Sequence, residues 1–214
     1  MSAVKTARPR DAWRGAFGDA YTDRNPRTLA SLESRQRLFQ RALGDVPLGA
    51  GSRLLEVGTN VGMNLSALGR CSPASLFGVD LNERALARAR SASDLAGRVR
   101  LAAAQAERLP FPDASMDLVL TCGVLIHVPP EQLREACAEI VRVARRYVFC
   151  AEYFSPRPEE VSYRGESGLL FKRDFGTFYL DQWPELQLVD YGFVWKRVEF
   201  DDLNWWLFEK ATRP

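Results

Sequence analysis

The residues best suited to chemistry gather at a few points of the chain. Glu56-Val57-Gly58-Thr59-Asn60-Val61-Gly62 ends an apolar run and opens onto a helical stretch. Glycines at such a point let backbone approach a ligand closely. Asp80 stands 24 residues beyond Glu56, at the end of a second apolar run. A carboxylate there can accept both hydroxyls of a ribose. A dinucleotide fingerprint would need glycines at 58, 60 and 63, but Asn60 and Met63 occupy two of those places. A phosphate-cradling loop fails too, because no Gly-Lys-Ser/Thr follows. His127 is the only histidine. Its ordinary pKa suits a proton acceptor; the alternative is a packing histidine in the turn before Pro129. Glu152, just past a later strand, could orient and deprotonate a cationic amine or guanidine; the alternative is a surface or salt-bridged glutamate. The four cysteines, 71, 122, 137 and 150, form no CxxC pair. With one histidine this excludes a multi-histidine or zinc-type metal site.

These groups need strands and helices to hold them. Short apolar runs at 52–57, 75–79, 99–103, 117–121 and 146–151 read as strands. Helices are expected from 62 to about 70, and after Asn82, a ready N-cap. Leu133, Ala136, Cys137, Ile140 and Val141 recur at helical spacing over 131–144, behind Pro129 and Pro130. Such alternation predicts an α/β fold with a doubly wound, mostly parallel seven-stranded sheet and helices on both faces. Residues 186–195 and 202–209 read as two further strands. About six residues join them, too few for a parallel crossover, so an antiparallel C-terminal hairpin is expected. The chain then reads as a single domain, 1–214. A helical N-terminal lid (1–45) precedes a cofactor-binding core (50–151), a substrate-side insertion (152–183) and the hairpin (184–214). Both outlying segments could cover the strand ends, where open α/β sheets bind ligands. Trp183, Trp195, Trp205 and Trp206 read as strand core rather than as an aromatic pocket.

Composition narrows the classes. The 214 residues are 46% hydrophobic and 26% charged, with a net charge of +2, an ordinary globular balance. Bulk charge predicts neither nucleic acid nor membrane as a partner. Twenty-five of the 29 basic residues are arginine, a bias that weakens any argument from arginine count. The first dozen residues hold no apolar stretch, and no apolar run is long enough to span a bilayer. Reduced, buried thiols fit a cytoplasmic protein.

Glu56–Gly62, Asp80, Ala104-Gln105-Ala106-Glu107-Arg108-Leu109-Pro110-Phe111 and Met116-Asp117-Leu118-Val119-Leu120 together resemble the class I S-adenosylmethionine-dependent methyltransferases, over roughly residues 50–150. A narrower likeness runs over nearly the whole chain. It rests on Phe17–Asn25, Gly123–His127, Ala151–Phe154, Tyr163–Gly165, Phe171–Phe175, Val189–Phe193 and Asp201–Trp205. These look like the group known as pseudaminic acid biosynthesis-associated methylases.

The resemblance implies a cofactor, S-adenosylmethionine, leaving as S-adenosylhomocysteine. Gly58, Asn60 and Gly62 would wrap its methionine part, with Glu56, Asn64 and Cys122 beside them. Asp80 would hold the ribose and Leu81 would pack on the adenine. Gln105, Ala106 and Glu107 would read the adenine edge, with Gln105 where many relatives carry Asp.

Methyl transfer from a sulfonium is an in-line displacement, so the protein supplies alignment and, for hydroxyl or cationic nitrogen acceptors, a base. His127 and Glu152 are the candidate bases. Tyr21, Arg24, Tyr153, Tyr163, Arg164 and Lys172 are the candidate substrate residues, a polar and partly basic set suited to an anionic group. The alternative for them is a solvated loop face. The expected substrate is a small polar metabolite: an amino sugar, a sugar acid, or an amine- or guanidine-bearing natural-product intermediate, methylated on N or O. No Asn/Asp-Pro-Pro-Tyr tetrad and no dense basic stretch points to nucleic acid. The competing classes are a non-catalytic cofactor-binding or regulatory protein on the same fold, a nucleic-acid methyltransferase, and a nicotinamide oxidoreductase. A monomer or homodimer is expected.

Overall fold

The computed structural model describes residues 9–211; residues 1–8 of the expected lid and 212–214 of the expected hairpin segment lie outside them. The elements run α1 (Pro9–Arg14), α2 (Ala16–Arg24), α3 (Leu29–Leu43), β1 (Arg53–Val57), α4 (Met63–Cys71), β2 (Ser75–Asp80), α5 (Glu83–Arg90), β3 (Val99–Ala103) and β4 (Met116–Cys122). A 3₁₀ turn (Leu125–His127) then leads to α6 (Pro130–Val143), β5 (Ala144–Glu152), β6 (Glu159–Glu160), β7 (Phe171–Lys172), α7 (Phe175–Gln182), β8 (Leu186–Val194) and β9 (Leu203–Lys210).

Seven strands form one sheet in the order β3-β2-β1-β4-β5-β9-β8. β9 runs antiparallel to both neighbours, so β8 runs with β1 to β5. The expected α/β fold and its antiparallel C-terminal pair are what the structure has. The chain winds outward from β1 to β3, then returns to lay β4 on the other side of β1. That reversal opens a crevice between the ends of β1 and β4, the point where doubly wound sheets take ligands.

The central strands are apolar on both faces because both are covered. Leu55, Val57, Val119, Val148 and Phe208 meet α6 and α7. Leu54, Leu76, Leu118, Phe149 and Trp205 meet α3 and α4. The helical stripe of α6 is buried as its spacing requires. Trp205 and Trp206 are core, whereas Trp195 is half exposed.

The two outlying segments behave differently. α1 and α2 lie across the strand ends. Asn82 Nδ2 donates to the Trp13 carbonyl (3.3 Å) and to Asp19 Oδ1 (2.9 Å), while Asn82 Oδ1 caps α5 by accepting from Ala85 N. Arg84 and Arg88 both pair with Asp23. The 152–183 segment is no uniform lid. It contains the two-residue pairing of β6 with β7, and then α7, whose Phe175 and Tyr179 are fully buried in the core.

Candidate active site

The β1–α4 turn is shaped by backbone of the left-handed kind. Gly58 and Gly62 each have φ of 76°, and Asn60 has 45°, a region open to Gly and tolerated by Asn. A Cβ on Gly58 would collide with the Val124 side chain beyond β4. The two loops thus touch across the crevice only because residue 58 lacks one. Gly58 N and Thr59 N both donate to the Val79 carbonyl, at 2.8 and 2.9 Å.

Glu56 lies beneath this turn. It accepts from Thr59 Oγ1 (2.8 Å) and Asn64 Nδ2 (2.6 Å). Burial drives its pKa up to about 7, against the pull of those two donors. Asp80 accepts from Asn60 N (2.7 Å) on one oxygen and from Asn82 N (2.8 Å) on the other. The Leu81 backbone also favours the carboxylate, and with about four lone-pair sites Asp80 keeps acceptor capacity for a diol hydroxyl. Burial also raises the Asp80 pKa.

A cavity of about 400 Å³ runs along the strand ends, within the usual range for ligand pockets, roughly 300–1,000 Å³. Its walls include the expected Glu56, Gly58, Asn60, Asn64, Asp80, Leu81, Ala106, Glu107, Cys122, Tyr21, Arg24 and His127. Arg10, Trp13, Arg35 and Gln132 line it as well, and the sequence reading missed all four. Among the described residues Arg35 makes no salt bridge, although its charge favours the Glu56 carboxylate nearby. Its Nη1 reaches Ser31, its Cζ lies 4.0 Å from the Phe200 ring centroid, and its buried Nε is unpaired. Among 25 arginines, nothing in the sequence marks this one.

Several expectations need correction. Gly62 shapes the turn from behind: a Cβ there would meet Leu95 Cδ1 at 2.6 Å, away from the cavity. Gln105 is also off the wall, because its backbone bridges to Arg108 and leaves Ala104, Ala106 and Glu107 facing the space. Tyr153 donates to Asp201 Oδ2 at 2.7 Å outside the cavity, and Lys172 sits over the Tyr153 ring. Arg164, with φ of 55°, tips into solvent on the turn between Tyr163 and Glu166. Tyr163 supports the wall from behind, its ring 5.4 Å from that of His127.

His127 is gripped on several sides. Nδ1 lies 2.6 Å from the Leu169 carbonyl, and the Trp13 ring is 4.3 Å away. A carbonyl only accepts, so Nδ1 carries the hydrogen and Nε2 keeps the lone pair. Burial lowers the imidazole pKa to about 4, which keeps the ring neutral at physiological pH.

Glu152 does not reach the cavity, and the expectation that it is a base facing the acceptor is corrected. It is fully buried, and its oxygens accept from Val124 N (2.9 and 3.2 Å), Leu125 N (3.1 Å) and Ile126 N (3.4 Å). Those bonds use up the lone pairs that a base would need.

Residues 54–146 match the family model of a methyltransferase domain. The chain is 32% identical over 120 residues to the 27-O-demethylrifamycin SV methyltransferase of Amycolatopsis mediterranei, covering 55% of this chain and 43% of that protein. It is 28% identical over 177 residues to a ubiquinone/menaquinone biosynthesis C-methyltransferase of Geobacter sulfurreducens, covering 78% and 65%. The chain thus spans less than two thirds of these curated relatives. Among solved structures, the Burkholderia thailandensis 1,6-didemethyltoxoflavin-N1-methyltransferase, with its substrate and S-adenosylhomocysteine bound, superposes with a TM-score of 0.71. The identity is 18%, over 99% of this chain and 93% of that one.

Proposed function

We propose that this chain is an S-adenosylmethionine-dependent methyltransferase acting on a small polar metabolite. The observation that carries the reading is the cavity running from the Asp80 carboxylate, held in place by backbone N–H groups, to Arg35, whose buried Nε has no partner. The cofactor, when bound, supplies an activated methyl on a sulfonium. The fit is chemical at both ends. Asp80 offers acceptors to a ribose diol, with Leu81, Ala106 and Glu107 around the base. At the other end Arg35 offers a cation to an amino-acid carboxylate. The unpaired Asn64 Oδ1 offers an acceptor to the ammonium.

His127 serves the acceptor. Its Nδ1–H is tied to the Leu169 carbonyl, so Nε2 accepts a hydrogen from an incoming hydroxyl or amine. With a pKa near 4 it orients that hydrogen and is a poor store for the proton. Glu152 is spent within the protein, so the case for a cationic guanidine acceptor loses its carboxylate. An oxygen or neutral nitrogen on a sugar-like or natural-product intermediate remains. The likeness to pseudaminic acid-associated methylases and the rifamycin methyltransferase relative both favour a biosynthetic metabolite, handled in the cytoplasm. The layout as one domain, with α1 and α2 over the strand ends and α3 packed in the core, belongs to the same proposal.

Calorimetric titration with S-adenosylmethionine and S-adenosylhomocysteine tests this. Micromolar binding is expected, with at least a hundredfold loss in Asp80→Ala. No binding at millimolar cofactor would sink the reading. Transfer of labelled methyl to a panel of amino sugars, sugar acids and natural-product precursors then identifies the acceptor.

A further inference from the structure

Resting on that reading, we infer that Glu152 is a positioning residue. Its buried carboxylate clamps the loop after β4, so that one anion holds both the cofactor wall and the acceptor wall in place.

Three successive backbone N–H groups, of Val124, Leu125 and Ile126, converge on the two oxygens of Glu152. The anion offers lone pairs on both oxygens to all three donors, the Val124 N–H being shared between the two; a neutral acid turns one oxygen into a donor and accepts more weakly. The loop they hold has two faces. Val124 fills the space left by the missing side chain of Gly58 and so backs the cofactor turn. His127, at the end of the same 3₁₀ turn, presents its ring to the cavity. Releasing the three N–H groups would loosen both at once.

Among the described residues, the groups that act on it are backbone N–H groups and Thr121, and none is a side-chain cation. The titratable neighbours are Cys122 from β4, Cys137 from α6, Cys150 on β5 itself and Tyr179 from α7. Burial raises the pKa of each, so all four are neutral and leave the backbone dipoles as the main support. Burial accordingly lifts Glu152 itself to about 7. The clamp is therefore set above neutrality and slackens as the pH falls through 7.

The test uses the full chain, with S-adenosylhomocysteine as the probe. At pH 8, Glu152→Gln, which stays near the native size, should remain folded by circular dichroism yet bind about tenfold more weakly than the wild type. Wild-type affinity should fall about tenfold between pH 8 and pH 6, the slope of a single proton linked to binding. The variant, which keeps Glu56, should lose the share of that fall due to Glu152, and Glu152→Gln combined with Glu56→Gln should change less than twofold. Glu56, which titrates in the same range, is the control: Glu56→Gln keeps Glu152 and should keep a fall with pH. Hydrogen exchange over residues 123–128, corrected for intrinsic rates, reads the clamp without any ligand. It should speed up in Glu152→Gln, and in the wild type below pH 7. Wild-type affinity and slow exchange in the variant would overturn the inference. If the variant does not fold, pH-independent exchange in the wild type would do so alone. Absence of wild-type binding alongside pH-sensitive exchange would instead remove the methyltransferase reading and leave the clamp standing.

Discussion

The ends of β1 and β5 carry the same group in the same predicament. Glu56 and Glu152 are both buried, and burial drives both to about 7. They differ in what answers them. Glu56 is met by two side chains, Thr59 and Asn64, and forms part of the cavity wall. Glu152 is met by three backbone N–H groups and lies off the cavity. Side-chain donors can turn toward water or a ligand when their partner leaves, but backbone donors in a formed turn cannot. One carboxylate therefore tunes a pocket, and the other shapes the polypeptide behind it.

Removal of each carboxylate tests that contrast most severely. Glu152→Ala strands three buried donors at about 1–3 kcal/mol each, so a loss of about 3 kcal/mol or more is expected in urea unfolding. Glu56→Ala should cost about half as much stability, because Thr59 and Asn64 can turn into the cavity, but more of the cofactor affinity. Equal stability losses would erase the distinction. A smaller effect concerns pH. Each carboxylate has a folded pKa raised above its ordinary value of 4.5. Each therefore contributes stability that is complete below 4.5 and lost as pH rises through 7. His127, lowered from 6.5 to about 4, works the other way: its contribution is present above 6.5 and lost as pH falls through 4. Two carboxylates against one histidine should make the melting temperature decline from pH 5.5 to pH 8. Glu152→Gln should flatten that decline by about 4–8 °C, because a shift from 4.5 to about 7 is worth about 2 kcal/mol between pH 5.5 and pH 8. The smallest effect belongs to Gln105→Ala. Its side chain is off the cavity wall, so calorimetry should find S-adenosylhomocysteine affinity changed less than threefold.

The cofactor half was legible because its chemistry is local. A strand, a glycine turn and a carboxylate at the next strand's end lie close in sequence, and hydrophobic period alone sets them side by side. Gly62 and Gln105 sit in that motif too, yet spacing could not tell a residue that shapes the turn from one that faces the space. The acceptor half is assembled over long separations. Trp13, His127 and Leu169 lie far apart in sequence and meet in the folded chain. Arg35 is one of 25 arginines, and what marks it is a buried, unbonded Nε at the cavity wall, which only the folded chain shows. Glu152 stands out in the sequence by its type and its place just past the apolar run 146–151, and it is the last residue of β5. Its role depends on three N–H groups 26 to 28 residues earlier, and backbone donors leave no mark in a sequence.

Asn82 splits its amide between two duties. The oxygen secures the start of α5, while the nitrogen fastens α1 and α2 across the strand ends. Because separate atoms do the two jobs, the overlying helices can swing aside to admit a nucleoside while the wall behind them stays intact. That movement exchanges the nitrogen's bonds and the pairs of Asp23 with Arg84 and Arg88 for water, and it leaves the cap on α5 in place.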